Sequence, residues 1–275
     1  MKTRLLLLLM LVAGIAGKAQ KAEVSDLMFG YNFIETTWYT EVEDLKLLEL
    51  YNGLRVADVS DGMDMAGLPG QGLVDHSIHP SWINYQSLSH IIRGIALTVR
   101  YVPTQKSDRP KPDEDFVEWE GNFYSSYSSE AFTSLIHRGV IIVIDDVEDK
   151  DIGSIGSNNV LSWKDKGAVG VVTDASSRDT DEVALEEFPL YLRKKGRGIR
   201  PGRNELESVN RPVSIGGVMV CPGDVVVADG DGVVVVPRGV AVEVARYARE
   251  VLSKDKAGRK NLYEKLGMPL DKTVE

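Results

Sequence analysis

The distribution of apolar positions along the chain predicts several buried strands. Two short, almost wholly apolar runs, residues 140–145 (VIIVID) and 168–173 (AVGVVT), have the length and composition of buried strands. Residues 91–102 alternate between apolar and polar positions, which also predicts a strand. Residues 213–220 and 224–237 predict further strands, joined by a Pro-Gly-Asp turn.

Helical spacing of apolar residues predicts helices between and around these strands. An acidic first turn and a leucine stripe predict a helix near residues 41–50, and a second helix is predicted over 56–66. Residues 157–166 predict a helix that Gly167 ends, because glycine enters the left-handed conformation at little cost. Three further helices are predicted at residues 129–138, 240–252 and 260–266. Helices interspersed with buried strands indicate an α/β protein.

Two charged segments predict loops. Residues 103–128 are rich in Pro, Asp and Glu and suggest a long loop near the site, and residues 193–210 begin basic and glycine-rich. A short edge strand is predicted over 188–192, just before the second loop along the chain. For the first loop the functional interpretation is metal binding, and for the second it is the steering of an anionic substrate. For each loop the alternative is a solvated surface. The residues concerned are Asp113, Glu114, Asp115 and Glu118 in the first loop and Lys194, Lys195, Arg197 and Arg200 in the second.

The first 19 residues have the pattern of a secretory signal peptide. A basic start precedes an apolar stretch at residues 5–15, and Gly17-Lys18-Ala19 supplies a small-x-small cleavage site. We therefore expect an exported, periplasmic or secreted protein with no stable membrane anchor after processing, the alternative being an uncleaved anchor. Cleavage before Gln20 removes three bases and no acid, so the net charge falls from −9 to −12. This acidic balance argues against nucleic acid as a partner.

The few cysteines and histidines predict little chemistry. Cys221 is the only cysteine, so no intrachain disulfide can form, and its apolar surroundings favour a buried small hydrophobe over a nucleophile. His76 and His79 are spaced closely enough for zinc, but no full ligand set accompanies them.

The residues with the most chemical promise lie between Gly156 and Glu182. The backbone N–H groups that open the 157–166 helix form an anion site, and Arg178 presents a planar charged fork that suits a carboxylate. Asp179 is a hard oxygen ligand of the kind that Mg²⁺ uses together with water and substrate oxygens. A site that binds a 2-oxo acid could use this combination of a cation clamp, amides for the carboxylate and a Lewis acid for the carbonyl. The plain alternative is that Arg178 and Asp179 form a surface ion pair at a helix end.

Four segments in order resemble the RraA-like family, which includes 4-hydroxy-4-methyl-2-oxoglutarate aldolases that also decarboxylate oxaloacetate. Gly156, Arg178-Asp179 and Glu182 are similar to its Gly…Arg-Asp-x-x-Glu/Asp signature. The other matching segments are residues 56–63 (VADVSDGM), 94–99 (GIALTV), and the closing strand pair at 216–224 and 229–237.

The resemblance implies the family's fold and assembly. We expect a layered ββα sandwich of the swivelling-domain type, flanked by N- and C-terminal helices. The predicted divisions are a signal peptide (1–19), an arm and helix (20–52), a core domain (53–238) and C-terminal helices (239–275). The family also implies a homotrimer or homohexamer with the site between subunits.

The resemblance further implies a lyase that uses a divalent metal, Mg²⁺ or Mn²⁺, on a 2-oxo acid. Gly156, Ser157, Asn158 and Asn159 would bind the substrate carboxylate through their amides. Arg178 would hold the carbonyl or enolate oxygen, and Asp179 would anchor the metal. Glu182 would complete the catalytic signature, the alternative being that it only orients Arg178. Ser157 stands where aldolase members often carry an acid, and residues 174–177 replace the more usual Asp-Gly turn, which leaves the general base unassigned. The alternative is a non-catalytic exported binding or regulatory protein, because other members of the family inhibit a ribonuclease.

Overall fold

The structure is a computed structural model that describes Ile34 and residues 36–106, 115–147 and 151–275. The predicted signal peptide and most of the predicted arm lie outside the described residues, as do Asp113 and Glu114. Residues 36–275 belong to one compact unit. Among the helices of the described segments, none combines the length and the apolar character that crossing a membrane requires.

Six helices and ten strands lie within the described residues. The helices are α1 (Glu41–Tyr51), α2 (Val56–Met65), α3 (Phe116–Ser126), α4 (Ser157–Asp165), α5 (Thr180–Leu185) and α6 (Ala241–Leu266), with 3-10 turns at Ala131–Leu135 and Arg238–Val240. The strands are β1 (His79–Pro80), β2 (Ile92–Pro103), β3 (Val140–Asp145), β4 (Ala168–Ser177), β5 (Leu190–Lys195), β6 (Asn204–Val209), β7 (Val213–Ile215), β8 (Val218–Val220), β9 (Val225–Asp229) and β10 (Gly232–Val236).

Eight of these strands form one mixed sheet in the order β1-β5-β4-β3-β2-β9-β10, with β6 also paired to β2. Strands β2, β3, β4 and β5 run parallel, whereas β1, β6, β9 and β10 pair antiparallel. Strands β7 and β8 form a separate hairpin. The parallel centre brings the carboxyl ends of β3, β4 and β5 to one edge, where ligands bind in open α/β sheets.

Apolar clusters cover both faces of the sheet. On one side, α4 and the Ala131–Leu135 turn pack over the parallel strands around Trp163, Phe132 and Ile142. The β7–β8 hairpin packs over the other side through Val213, Ile215 and Val220. Helices α1, α2 and α6 pack together against β9 and β10. This layered arrangement, with helices flanking the sheet, confirms the predicted α/β sandwich.

Several predicted elements are wrong in detail. Residues 103–128 are not simply a loop, because Phe116–Ser126 form α3, whose Trp119 and Phe123 are buried. The predicted loop over 193–210 contains the end of β5 and all of β6. In both segments apolar residues pack on the core, which overrides the polar composition.

Four further elements differ from the prediction. The predicted helix over 129–138 is a 3-10 turn, and the predicted edge strand over 188–192 is β5, which pairs on both sides, with β4 and β1. The two predicted C-terminal helices form one continuous helix, α6. Strand β4 continues to Ser177, where a turn after residue 173 was predicted, because a bulge between Thr173 and Ser176 lets it pair again with β5.

Candidate functional site

The candidate site lies where the end of β4 meets the start of α4. A parallel bridge joins Ile155 to Ser177, and the Arg178 N–H donates to the Ile155 carbonyl at 2.9 Å. Gly167 ends α4 with a φ of 110°, as predicted. These backbone contacts bring Gly156 and the Arg178-Asp179 pair together, although more than 20 residues separate them along the chain.

The Arg178 side chain crosses the backbone at Gly153. A Cβ atom at Gly153 would lie 2.6 Å from the Arg178 Cβ, so only glycine permits this path. The side chain remains 40% exposed, and its Nε lies 3.7 Å from Asp179 Oδ2. Within the described segments this loose contact is the only ion pair of Arg178, so most of the guanidinium fork is available to a ligand.

Asp179 adopts the left-handed backbone conformation, with φ of 55° and ψ of 29°. This conformation is uncommon outside glycine and turns the chain sharply from β4 into α5. The turn directs the Asp179 carboxylate toward the start of α4, where Oδ2 accepts a hydrogen bond from the Ser157 N–H at 3.3 Å. Backbone strain of this kind occurs often at functional sites.

Three polar groups converge on Gly156. A Cβ atom at Gly156 would lie 2.8 Å from Asp179 Oδ2, 3.3 Å from Asn159 Oδ1 and 3.6 Å from Arg178 Nε. The missing side chain therefore creates the space in which a carboxylate, an amide and a guanidinium meet. Gly156 has a φ of −119°, which any residue adopts, so this glycine is needed for space and not for its backbone angles.

The first turn of α4 is already partly hydrogen-bonded within the chain. The Gly156 N–H donates to Asn159 Oδ1 at 2.9 Å, the Ser157 N–H to Asp179, and the Asn159 N–H to the Gly156 carbonyl at 3.1 Å. Asn158 is the exposed residue of this turn. A substrate carboxylate that binds these amides, as predicted, therefore shares the turn with the Asp179 carboxylate.

Glu182, the last residue of the family signature, lies in α5 and is exposed. Its side chain has no hydrogen bond or ion pair with Arg178 or any other described residue. The geometry of this chain gives no support to the idea that Glu182 orients Arg178. Its charge does contribute to the raised pKa of Glu186, after the larger effect of burial.

Among the residues of the candidate site, Asp179 is the candidate metal ligand. No group of three or more His, Cys, Asp or Glu residues within the described ranges is arranged to hold a metal ion. Mg²⁺ nevertheless binds proteins through one or two carboxylates and completes its shell with water and substrate oxygens. The half-exposed Asp179 carboxylate beside the open space at Gly156 fits such a shared ion and does not fit a zinc site with four protein ligands.

A buried network behind α4 was missed by sequence reasoning. Glu130 accepts hydrogen bonds from Asn159 Nδ2 at 2.6 Å and from Trp163 Nε1 at 3.0 Å, and it forms an ion pair with Arg200. Arg200 also donates to the Tyr101 hydroxyl at 2.6 Å. Arg200 is 4% exposed, so its predicted role on a solvated or steering surface is wrong. Nothing in the sequence links Glu130 to Asn159, because the contact depends on the packing of α4.

The other candidate residues mostly form contacts that stabilise the fold. Asp115 caps α3 by accepting from the Val117 N–H at 2.9 Å, and Arg197 forms an exposed ion pair with Asp151. Burial raises the pKa of the Cys221 thiol, in agreement with an inert cysteine. His79 lies in β1 and contacts the Ser77 carbonyl through Nδ1 at 2.8 Å.

A second acidic group lies at the carboxyl ends of β3 and β4. Burial, with a smaller contribution from the charge of Asp145, raises the pKa of Asp174 to about 7. Burial also raises the pKa of Asp145, which lies 3.4 Å from Arg100. No described contact links Asp174 to Arg178 or Asp179, so its unusual carboxyl group is not part of the candidate site.

Fold and site together define an α/β protein with a polar site at the carboxyl edge of a mostly parallel sheet. The model of the RraA-like family, described as Aldolase/RraA, matches residues 56–235, which is more than half of the chain. The chain therefore belongs to the RraA-like family, as the motifs predicted.

Similar proteins support the fold more than the activity. Protein DlpA of Legionella pneumophila is 26% identical over 180 residues, which cover 65% of this chain and only 25% of DlpA. An uncharacterized protein from Pseudomonas syringae is 26% identical with a TM-score of 0.64, covering 87% of this chain and 96% of that one. RraAS2 of Streptomyces coelicolor, an unusual member of the RNase ES inhibitor RraA family, is 22% identical with a TM-score of 0.64 over 79% of this chain and 98% of its own. The family thus includes both aldolases and ribonuclease inhibitors.

Proposed function

We propose that the protein is a divalent-metal-dependent lyase that cleaves 2-oxo acids through an enolate. The observation that carries the proposal is the convergence of Arg178, Asp179 and Asn159 on the space at Gly156. Arg178 is half-exposed and only loosely paired, so its charge is free to stabilise a developing oxyanion. A surface ion pair would need neither the glycine at 153 nor the one at 156.

Oxaloacetate decarboxylation illustrates the step. The C3–C4 bond breaks, CO₂ leaves, and the bonding electrons form the enolate of pyruvate, which takes a proton from water at C3. Negative charge develops on the oxygen at C2, where we place the Arg178 guanidinium. The Asn158 N–H, together with the Ser157 N–H that it would share with Asp179, would then hold the C1 carboxylate.

Asp179 would hold the metal ion, Mg²⁺ or Mn²⁺, together with water and the substrate. When bound, such an ion supplies Lewis-acid stabilisation of the enolate oxygen. The left-handed turn at Asp179 fixes the carboxylate beside Arg178 without help from Glu182. We assign Glu182 no direct step, and its place in the signature remains a prediction.

Assembly and location complete the proposal. The family resemblance suggests a homotrimer or homohexamer, in which a neighbouring subunit could supply the general base that the described residues leave unassigned. The signal-peptide pattern at residues 1–19 suggests export to the periplasm or beyond. Light scattering and N-terminal sequencing of the protein from its native host test these two points.

The test is pyruvate release from oxaloacetate by residues 20–275, measured with Mg²⁺ and with EDTA. We expect metal-dependent activity that Asp179→Ala abolishes and Asp179→Asn strongly reduces, because the amide cannot replace the charged ligand. Asp181→Ala is the matched control, since Asp181 is an exposed acid two residues away. Activity equal to that of free Mg²⁺, or unchanged in Asp179→Ala, would exclude the proposal.

One observation favours the second candidate, an exported binding protein without catalysis. Ser157 occupies the position where aldolase members often carry an acid, so no base is assigned next to the substrate space. Oxaloacetate loses CO₂ without needing a base, whereas retro-aldol cleavage needs one. A protein that binds a 2-oxo acid but never exceeds the metal-only rate would fit this second candidate.

A further inference from the structure

A polar cleft lies directly beside the candidate site. Helix α3, the segment that follows it, and the Arg200 loop enclose a cleft of about 470 Å³, which we call the α3 cleft. This volume is in the range of small-molecule sites. The residues of the cleft that matter here are Tyr124, Ser125, Ser129, Glu130, Asn159 and Arg200.

Asn159 joins the α3 cleft to the candidate site. Its Oδ1 accepts from the Gly156 N–H and would lie 3.3 Å from a Cβ at Gly156, and its Nδ2 donates to Glu130 inside the cleft. A ligand whose head group lies at Gly156 can therefore extend into the cleft along the Asn159 side chain.

The charges of the cleft cancel. Arg200 and Glu130 form a direct ion pair, and the other lining residues are uncharged. A second carboxylate would meet Glu130 as well as Arg200, so it gains little here. The cleft therefore suits a neutral group that forms hydrogen bonds.

Several hydrogen-bonding groups of the cleft lack partners. Within the described residues, the partly exposed hydroxyls of Tyr124 and Ser129 have no hydrogen-bond partner, so both are accessible to a ligand. The Arg200 Nε–H also lacks an acceptor, but this atom is fully buried and is not exposed to the cleft. An aromatic ring beside hydroxyl and amide groups is suited to a chain of C–OH groups, which present both apolar C–H and polar O–H surfaces.

We propose that the α3 cleft binds the uncharged, polyhydroxylated tail of a 2-oxo acid, of the 2-oxo-3-deoxy sugar acid class. This inference rests on the proposed function for the head group, which lies at Gly156 and Arg178. Tyr124 and Ser129 bind hydroxyls of the tail.

The test measures binding with Ca²⁺ in place of Mg²⁺, because Ca²⁺ also binds carboxylate and substrate oxygens but its larger, flexible shell suits turnover less well. Calorimetric titration compares 2-keto-3-deoxygluconate with 4-hydroxy-2-oxopentanoate, which share the 2-oxo-4-hydroxy head but differ in tail hydroxyls. We expect the hydroxylated compound to bind at least about tenfold more tightly, because two net hydrogen bonds contribute about that factor. Tyr124→Phe combined with Ser129→Ala should remove this preference.

Matched controls separate the cleft from general damage. Tyr127→Phe and Ser134→Ala change the same residue types nearby, outside the residues that line the cleft, and should keep the preference. Equal affinities for the two compounds, absence of binding by both, or a preference that survives the double cleft variant would overturn the inference. Because this readout needs no catalysis, loss of the oxaloacetate activity alone would refute the lyase function and leave the tail-binding result standing.

Discussion

Two arginines near the first turn of α4 show how the same type of side chain serves two purposes. Arg178 is 40% exposed and meets a single acid at 3.7 Å. The Arg200 side chain is 5% exposed, pairs with Glu130, and stacks over the rings of Tyr101 and Tyr124. The Arg178 charge is available to a ligand, whereas the Arg200 charge stabilises the scaffold. The difference teaches that burial and pairing, and not residue type, decide which charged group is functional.

The largest expected effect is on the scaffold side of this comparison. Glu130→Ala leaves the buried Arg200 charge without its partner, which should lower the free energy of unfolding by about 3–5 kcal/mol. Urea denaturation followed by circular dichroism measures this loss. The control is Glu41→Ala, which breaks the exposed pair with Arg138 and should cost at most about 1 kcal/mol. Similar losses for both variants would refute the contrast.

Arg178→Ala should have the opposite effect, with little change in stability and a large loss of activity. We expect the stability to change by less than about 1 kcal/mol, since the pair is exposed. The kcat/KM for oxaloacetate should fall by about 10²–10³-fold, the cost of losing one oxyanion donor. Arg197→Ala is the matched control, because Arg197 is an arginine that is 90% exposed and paired with one acid. A folded Arg178→Ala protein with full activity would show that this charge is not used.

Gly156→Ala tests whether the space itself matters. The added methyl would lie 2.8 Å from Asp179 Oδ2, so the carboxylate must move, and activity should fall by about 10²-fold, as misplacement by roughly 1 Å can do. The fold should persist, because the backbone angle suits alanine. Gly258→Ala in α6, where a Cβ meets no atom within 4 Å, should keep activity and add about 0.5–1 kcal/mol of stability. Equal activities in the two variants would contradict the close approach at Gly156.

The last expected effect is a pH dependence of stability and concerns the acid that lies outside both regions. The pKa of Asp174 is about 7 in the folded protein and near 3.8 when unfolded, mainly because burial favours the neutral carboxyl. The folded state therefore binds more protons between these values, and its stability falls as the pH rises from about 4 to 7. Asp174→Asn, which cannot ionise, should show a smaller fall in urea titrations across that range. Wild-type and variant curves that stay parallel would show that the group does not titrate there.

The sequence predicted most of the scaffold because local patterns determine it. The all-apolar runs at 140–145 and 168–173 and the glycine at 167 correspond directly to β3, β4 and the end of α4. Helix α3 and strand β6 were missed because their polar composition hides a few buried residues that only tertiary packing reveals.

The sequence did not predict the arrangement of the candidate site, and the roles of its residues stay predictions. The signature identified Gly156, Arg178 and Asp179, and the structure brings these three together. It did not predict the left-handed turn at Asp179 or the isolation of Glu182, because both depend on how β4 enters α5. No sequence pattern linked Glu130 to Arg200, which was predicted to lie in a basic loop, since their contact joins distant segments.

The most direct test of the account is Mn²⁺ binding in the presence of oxalate, a stable mimic of the pyruvate enolate. Electron paramagnetic resonance can follow free Mn²⁺ as the protein is titrated with and without oxalate. If Arg178 and Asp179 form one site for enolate and metal, oxalate raises the Mn²⁺ affinity in wild type, and Asp179→Ala abolishes binding. Mn²⁺ affinity that ignores oxalate, or that is unchanged in Asp179→Ala, would contradict the account.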